Sequence, residues 1–312
     1  MIESVLKLFF QIIFILLIAP LFSGIIKRLK SKVQHKMGPS VFQPYYDLVK
    51  LFKKDLVVSS TSSWIYNLAP YVYFITSLVA VSCLPVIHQL TGFTFYTDLL
   101  ILVYLLVAGR VFMALAGLDT SSTFGGMGSS REMLVSSLVE PALFLTIITV
   151  SARSGVNSTN VSSIYEYAVN NTESAFTPIN ILLFFSVLMI LIAESSRIPV
   201  DDPSTHLELT MVHEAMTLEY SGRQLAFIEL GTYIKQLVFM TFMANILIPI
   251  GFNVENLFLG LGIYVLKALL ITILVALVEL NTVKLRLFSI SNFAAIAFIV
   301  SVLGFLTCFI LK

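Results

Sequence analysis

The stretch Leu257-Phe-Leu-Gly-Leu-Gly-Ile-Tyr-Val-Leu-Lys-Ala-Leu-Leu-Ile-Thr-Ile-Leu-Val-Ala-Leu-Val-Glu279 decides the class of fold. A helix rises about 1.5 Å per residue, so this stretch extends about 35 Å and crosses a hydrocarbon core of about 30 Å. Similar apolar stretches occur at about 4–26, 69–90, 99–118, 132–152, 179–197, 225–249 and 287–311. The sequence therefore predicts an all-α integral membrane protein with about eight transmembrane helices.

The composition agrees with this class. Of the 312 residues, 57% are hydrophobic and 12% charged, and the mean hydropathy is +0.93, which is far from the balance of a soluble domain. Basic residues cluster only beside the apolar stretches, so no nucleic-acid partner is expected. Cys83 and Cys308 lie in apolar runs and form neither a disulfide framework nor an iron–sulfur pattern. Since no phosphate-binding loop or internal repeat is present either, we predict one cofactor-free membrane domain over residues 1–312.

The positive charge predicts the orientation. With the N-terminus outside, the inner loops together with Arg197 carry thirteen of the nineteen lysines and arginines. These loops are 27–68, 119–131, 198–224 and 280–286. Lysine and arginine concentrate on the cytoplasmic side of membrane proteins. The expected location is the cytoplasmic membrane, with many passes and both termini outside.

Short amphipathic helices are predicted in two inner loops. Residues 44–56 place Tyr45, Leu48 and Phe52 on one stripe, which is typical of a helix in the membrane interface. Residues 203–219 have helical spacing of apolar residues. The polar composition of the outer loop 153–178 predicts a plain connector. Trp64 and Tyr66 are expected to be interfacial anchors.

Several charged residues fall inside the predicted spans. A charge at the bilayer centre costs at least about 2.5–3.5 kcal/mol, so it usually faces a partner or a hydrated path. Structural ion pairs between helices are the alternative to an ion path. We predict an ion-translocation path with Glu140 as the central relay and Lys235 and Lys267 as the opposite charges that tune it. The path also includes Arg110, Glu132, Glu194, Glu229 and Glu279.

The histidines His206 and His213 are seven residues apart and would share a helix face. The stretch His213-Glu214 begins like a zinc-protease helix but has no second histidine at the required spacing, so no metal site is predicted. These histidines are expected to face a polar loop surface or a partner subunit.

The inner loops carry motifs in a specific order. They are Gln34-x-Lys36-Met37-Gly38-Pro39, Gln43-Pro44, Ser130-Arg131-Glu132, Val139-Glu140-Pro141, Arg197-Ile198-Pro199-Val200-Asp201, Glu208-Leu209 and Glu219-Tyr220-Ser221-Gly222. In this order the chain resembles the complex I subunit 1 family from about residue 20 to 290. Within that family, Ser130-Arg131-Glu132 and Val139-Glu140-Pro141 are most similar to the membrane anchor subunits of formate hydrogenlyase and other energy-converting NiFe hydrogenases.

The resemblance implies a non-catalytic membrane subunit of a multisubunit oxidoreductase, which couples electron transfer to proton or sodium translocation. The implied partners are hydrogenase-like large and small subunits, iron–sulfur subunits and antiporter-like membrane subunits. Iron–sulfur clusters, and in the hydrogenases a NiFe site, would belong to those partners. The residues implied in docking and coupling are Lys36, Gly38, Pro39, Gln43, Asp47, Arg131, Arg197, Asp201, Glu208, Glu219 and Tyr220.

Two other functions stay open. One is a quinone-site subunit of an NADH-quinone oxidoreductase, but Val200, Ser204 and His206 depart from the acidic loop that such subunits carry. The other is a stand-alone ion transporter, but the chain has no paired helix interruptions of the kind that such transporters show.

Overall fold

The computed structural model of the chain describes residues 2–58, 62–87, 97–154, 159–171, 176–201, 211–251, 254 and 256–310. In these residues all regular structure is helical, which confirms the all-α prediction. The helices are α1 (Ile2–Val33), α2 (Gln43–Lys53), α3 (Trp64–Ser82), α4 (Leu99–Asp119), α5 (Thr123–Arg153), α6 (Val161–Asn170), α7 (Pro178–Glu194), α8 (His213–Thr217), α9 (Gly222–Phe242) with a π-helical turn (Met243–Leu247), α10 (Leu257–Asn281) and α11 (Leu287–Ile310).

Eight of these helices correspond to the predicted spans. Within the described ranges, seven are long and apolar enough to cross a membrane: α1, α3, α4, α5, α9 with its π-helical turn, α10 and α11. The eighth, α7, is apolar but has only 17 residues. It extends about 26 Å, somewhat less than the hydrocarbon core of an average bilayer.

The inner loop 119–131 is mostly helical, because α5 begins at Thr123 rather than near residue 132. Its first turn is capped by Ser122, whose Oγ accepts the N–H of Gly125 at 3.0 Å. Gly125 is required there because a Cβ would lie 2.3 Å from the carbonyl oxygen of Gly117 on α4. The glycines therefore let α4 and α5 pack closely at their inner ends.

The outer loop 153–178 was predicted to be a plain connector, but it contains α6. The prediction was wrong. The Asn160 side chain caps this helix by accepting the N–H of Ser162 at 3.3 Å. Val161, Ile164 and Tyr165 are buried at helical spacing. This short apolar face was visible in the sequence but was outweighed by the polar residues around it.

The inner amphipathic helices are confirmed in part. Helix α2 covers most of residues 44–56 and buries Leu48, whereas Tyr46 and Val49 on its opposite face are exposed. Of the second predicted helix, 203–219, only α8 lies in the described residues, and 202–210 lie outside them.

Helix α9 lies at the centre of the molecule. It packs against α1, α2, α3, α7 and α10, and residues 233–247 are all buried. Successive side chains of a helix point about 100° apart, so the neighbouring residues Lys235 and Gln236 reach into two different polar sites.

Candidate functional site

One guanidinium group, that of Arg110 on α4, pairs with three carboxylates. Its Nη1 donates to Glu140 Oε1 at 2.8 Å, its Nε lies 3.6 Å from Glu132 Oε1, and its Nη2 pairs with Glu194 Oε1. The second oxygen of Glu194 lies 2.7 Å from Lys235 Nζ. We call these five residues the central charge cluster.

The helices explain why these residues meet. Glu132 and Glu140 are eight positions apart on α5, about 12 Å along the axis, and the forked guanidinium of Arg110 reaches both. Glu194 is the last residue of the short helix α7. Its carboxylate therefore lies at the depth of Lys235, instead of at the inner surface as the sequence suggested.

The cluster is buried and carries excess negative charge. Arg110, Glu194 and Lys235 are 4%, 6% and 2% exposed, and buried charges at this depth need opposite partners. Three carboxylates face two cations, so the fully ionised cluster has a formal charge of −1. Glu140 is its most accessible member, with 29% of its side chain exposed. The arrangement is suited to binding one proton or cation.

A second group of charges lies nearer the inner surface. Arg197 donates from Nη1 to Glu279 Oε1 at 2.9 Å and from Nη2 to Gln236 Oε1 at 2.7 Å. Lys30 Nζ lies 3.6 Å from the other oxygen of Glu279. We call these four residues the inner charge cluster. It is joined to the central charge cluster through the adjacent positions Lys235 and Gln236.

Lys267 lies elsewhere. Its ammonium donates to the carbonyl oxygens of Ala244 at 2.9 Å and Ile248 at 2.8 Å, at the π-helical turn that ends α9. No ion pair among the described residues joins Lys267 to a carboxylate. The predicted pairing of Lys267 with the Glu140 group is therefore not seen, because α10 directs this side chain to the outer end of α9.

A cavity of 530 Å³ lies at the inner ends of α1, α9 and α10. Its basic, acidic and histidine lining residues are Lys27, Lys30, Lys36, Arg197, His213, Glu214, Glu229 and Glu279. On its wall, the Glu229 carboxylate accepts a hydrogen bond from the Tyr233 hydroxyl at 3.2 Å. Lys36 is exposed, so the cavity is accessible from the inner side.

Two residues of α8 beside the cavity have pKa values shifted from their usual ones. Burial, together with the carboxylates of Asp201 and Glu229, raises the pKa of Glu214 to about 7. Burial lowers the pKa of His213. His213 is 7% exposed, so it does not face a loop surface as the sequence suggested.

Asp201 organises the third inner loop from inside the protein. Its Oδ2 accepts the backbone N–H groups of Val212, His213 and Glu214 at 3.1, 2.9 and 3.3 Å, and its Oδ1 pairs with Lys284 at 3.0 Å. Asp201 is fully buried, so its carboxylate holds the start of α8 and is not a surface contact.

Two other predicted docking residues belong to the same region. Arg131 donates to the Met211 carbonyl at 2.7 Å. Glu208 lies outside the described residues. In the described residues, no group of three or more histidine, cysteine, aspartate or glutamate side chains is placed to hold a metal ion.

The first inner loop forms part of the cavity rim. Arg28 Nη1 donates to the carbonyl oxygens of Gly38 at 2.8 Å and Pro39 at 3.3 Å. Gly38 has no space for a side chain, since a Cβ would lie 1.7 Å from Ser31 Oγ. Further along, Gln43 Nε2 donates to Asp47 Oδ1 at 2.8 Å within α2. The Arg28 contacts hold the loop against the end of α1.

The Glu219–Gly222 motif fastens the third loop to the first. Ser221 Oγ donates to the Val57 carbonyl at 3.0 Å and accepts the Val57 N–H at 2.9 Å. Gly222 has φ +52°, and a Cβ there would lie 2.7 Å from the Asp55 carbonyl oxygen. Tyr220 is buried, whereas the Glu219 side chain is exposed. The motif is thus a structural clasp that leaves one acid at the surface.

Sequence reasoning missed three residues that complete these sites. Tyr66 is buried under Tyr220 and is not an interfacial anchor. The Tyr73 ring lies 5.8 Å from Lys235 Nζ, and Gln236 binds Arg197. An amide directly after a lysine within a predicted span was a signal that could have identified Gln236. Nothing in the sequence distinguished Tyr66 and Tyr73 from the other tyrosines.

The comparisons with known proteins agree with the motifs. The model of the family described as NADH dehydrogenase matches residues 6–310. Hydrogenase-4 component C of Escherichia coli is 31% identical over 298 residues, which cover 94% of this chain and 92% of the relative. Formate hydrogenlyase subunit 4 of the same organism is 32% identical over 288 residues, which cover 91% and 92%.

A solved structure has the same fold. It is a chain of the membrane-bound sulfane sulfur reductase, an archaeal respiratory membrane complex, with a TM-score of 0.83 at 18% identity. The match covers 98% of this chain and 99% of the other. Since the family match spans almost the whole sequence, the chain belongs to the NADH dehydrogenase family, the family of complex I subunit 1.

Proposed function

We propose that this chain is the membrane subunit of a complex I-related, energy-converting hydrogenase-type oxidoreductase. It docks the peripheral arm and couples electron transfer to proton or sodium translocation. The observation that carries this proposal is the central charge cluster, which has one carboxylate in excess inside an eight-helix membrane protein. The names of the two Escherichia coli relatives support the assignment to a hydrogenase-type complex.

The cost of burying charge supports a functional cluster. Each charge in a membrane interior costs at least about 2.5–3.5 kcal/mol, and such groups commonly mark ion paths. Two balanced ion pairs would be enough to join helices. The third carboxylate adds a site that can hold a proton or cation or be left without one. Movement of the inner charge cluster would change the field at Lys235 through α9, and thereby the affinity of the central charge cluster for an ion.

The ion path runs from the inner cavity to the flank of the protein. It begins at Glu229 on the cavity wall, passes Glu132, Glu194 and Lys235, and ends at Glu140. Because the Glu140 side chain is partly exposed, it is available to a neighbouring membrane subunit, such as an antiporter-like chain.

The first and third inner loops form the docking surface for the peripheral arm. Lys36, Gly38 and Glu219 are candidates for contact with hydrogenase-like large and small subunits and iron–sulfur subunits. Those partners carry the iron–sulfur clusters and any NiFe site, and this chain acts as their non-catalytic anchor. Its inner face is cytoplasmic, with both termini outside the cytoplasmic membrane.

The test is Glu140→Gln in the complex purified through a tag on this chain. The variant should assemble and transfer electrons but lose proton or sodium movement into proteoliposomes. Glu166→Gln is the matched control, because Glu166 is an exposed glutamate on α6. Ion movement at the level of this control in an assembled Glu140→Gln complex would contradict the proposal.

The 530 Å³ cavity also gives some support to a second function, a quinone site, because ligand pockets commonly have this volume. Four basic and three acidic side chains line it, so a ligand there would contact charges on several sides. Reduction of a short-chain quinone by the purified complex, lost in Glu229→Gln or Tyr233→Phe, would favour this function.

A further inference from the structure

His213 lies between the inner cavity and the central charge cluster. Its side chain lines the cavity, and its ring centroid is 6.2 Å from that of Tyr73. Lys235 Nζ, which belongs to the central charge cluster, lies 5.8 Å from the same Tyr73 ring. The imidazole and the cluster therefore lie against one common side chain.

Contacts of its backbone hold His213 in this position. The Asp201 carboxylate accepts the His213 N–H at 2.9 Å together with the N–H groups on either side. On the opposite side, Gly128 lets α8 approach α5, since a Cβ there would lie 2.9 Å from the Ala215 Cβ. Helix α8 is thus fixed against the helix that carries Glu132.

The imidazole has unused hydrogen-bonding capacity. Its Nε2 is buried and has no hydrogen-bond partner among the residues that the structure describes. Buried polar atoms in proteins nearly always have a partner, so this nitrogen is placed to bind something small and polar. The charged groups that act on the ring are Glu132 on α5, Lys235 on α9, Asp201 in the third loop and Arg110 on α4.

We propose that His213 is a proton-relay residue between the cavity and the central charge cluster, a role that rests on the proposed function. Nε2 takes a proton from a hydronium ion or a protonated water chain in the cavity, so that an N–H bond forms as an O–H bond breaks. The imidazolium then gives up one proton to a carboxylate of the cluster and becomes neutral again. Glu132 is the acceptor, because it belongs to the cluster and lies on α5, the helix against which α8 packs. No electrons move in this step.

The experiment uses His213→Gln in the purified complex, which keeps a polar side chain but cannot carry a proton. Glu166→Gln is the control, because Glu166 is an exposed side chain on α6, away from the cavity and from the docking loops. We expect the rate of proton movement to fall at least about 10²-fold in His213→Gln, the lower end of the contribution of a positioned acid–base group. The control should not differ from the unmutated complex.

A second variant separates a relay from a structural role. His213→Ala leaves space for imidazole added to the medium, which should restore proton movement if the ring carries protons. Equal proton movement in His213→Gln and Glu166→Gln, or no rescue of an assembled His213→Ala complex, would overturn the relay. If the unmutated complex moves neither protons nor sodium ions, the proposed function fails and the relay fails with it. If it moves sodium ions but no protons, the relay fails alone. If proton movement is lost in Glu140→Gln but not in His213→Gln, the relay is overturned and the proposed function is not.

Discussion

The rings of Tyr66 and Tyr220 stack with centroids 4.2 Å apart and planes 1° from parallel, and each hydroxyl bonds to the segment of the other. Tyr66 donates to the Glu219 carbonyl at 2.7 Å, and Tyr220 donates to the Tyr66 carbonyl at 3.0 Å. This reciprocal pair joins the start of α3 to the segment before α9. It therefore links the first inner loop to the helix that carries Lys235.

The tyrosine pair predicts a measurable coupling. Tyr66→Phe and Tyr220→Phe should each lower stability by about 1 kcal/mol, because each removes one hydrogen bond. Replacing both rings by alanine in a double-mutant cycle should give a coupling of about 0.5–1.5 kcal/mol from the stacking. Thermal unfolding of the purified complex measures this. Tyr104→Phe, at an exposed position, is the control, and additive alanine effects would show that the rings act independently.

Gly222→Ala should weaken the clasp between the first and third inner loops. The residue has φ +52°, which disfavours any side chain, and its Cβ would lie 2.7 Å from the Asp55 carbonyl oxygen. We expect a loss of at least about 1–2 kcal/mol from the backbone conformation alone. At Gly262, where a Cβ meets nothing within 4 Å, the same change should be neutral or stabilising. Equal melting temperatures for the two variants would refute this account.

Arg110→Lys should fail to replace the arginine. A lysine has a single ammonium and does not reach three carboxylates, so at least one of Glu132, Glu140 and Glu194 loses its partner. Breaking a buried ion pair costs about 3–5 kcal/mol, so we expect poor assembly on native gels. Removal of the exposed charge at Lys7, which pairs with Glu3, should have no detectable effect on assembly. A fully assembled Arg110→Lys complex would show that the cluster tolerates an unpaired carboxylate.

Glu214 predicts a dependence of stability on pH. Its pKa is raised from 4.5 to about 7, so the folded state holds the proton more tightly than the unfolded state does. The contribution of this group to stability is therefore greatest below pH 4.5 and is lost as pH rises through about 7. The difference in melting temperature between Glu214→Gln and the unmutated complex should grow over this interval in favour of the variant. A constant difference across the interval would mean that Glu214 is not perturbed.

Lys235 and Lys267 should differ in function although both are lysines within apolar helices. Lys235 pairs with Glu194 in the central charge cluster, so Lys235→Gln should abolish ion movement. Lys267 donates to two carbonyl groups at the π-helical turn, so Lys267→Gln should lower the melting temperature and leave most ion movement intact. Ion flux and thermal unfolding measured on the same preparations compare the two. Equal loss of flux in both variants would place Lys267 on the ion path after all.

The sequence by itself determined the long apolar helices, because such stretches have few alternatives in a membrane, where backbone groups must bond within the segment. It also determined the family, and it predicts an orientation from lysine and arginine and the candidates Arg110, Glu140 and Lys235. The amphipathic stripe of α2 needed only its local period of about 3.6 residues.

Only the tertiary structure decided which of these charges meet. The contact between Glu194 and Lys235 depends on where the short helix α7 ends, and the separation of Lys267 from Glu140 depends on the direction in which α10 faces. The position of Tyr66 depends on contacts with Glu219 and Tyr220, which lie more than a hundred positions away in the chain. The position of His213 depends on the buried carboxylate of Asp201, which accepts its backbone N–H. Spacing along one helix fixes a face, but the partner of that face is set by the packing of all the helices together.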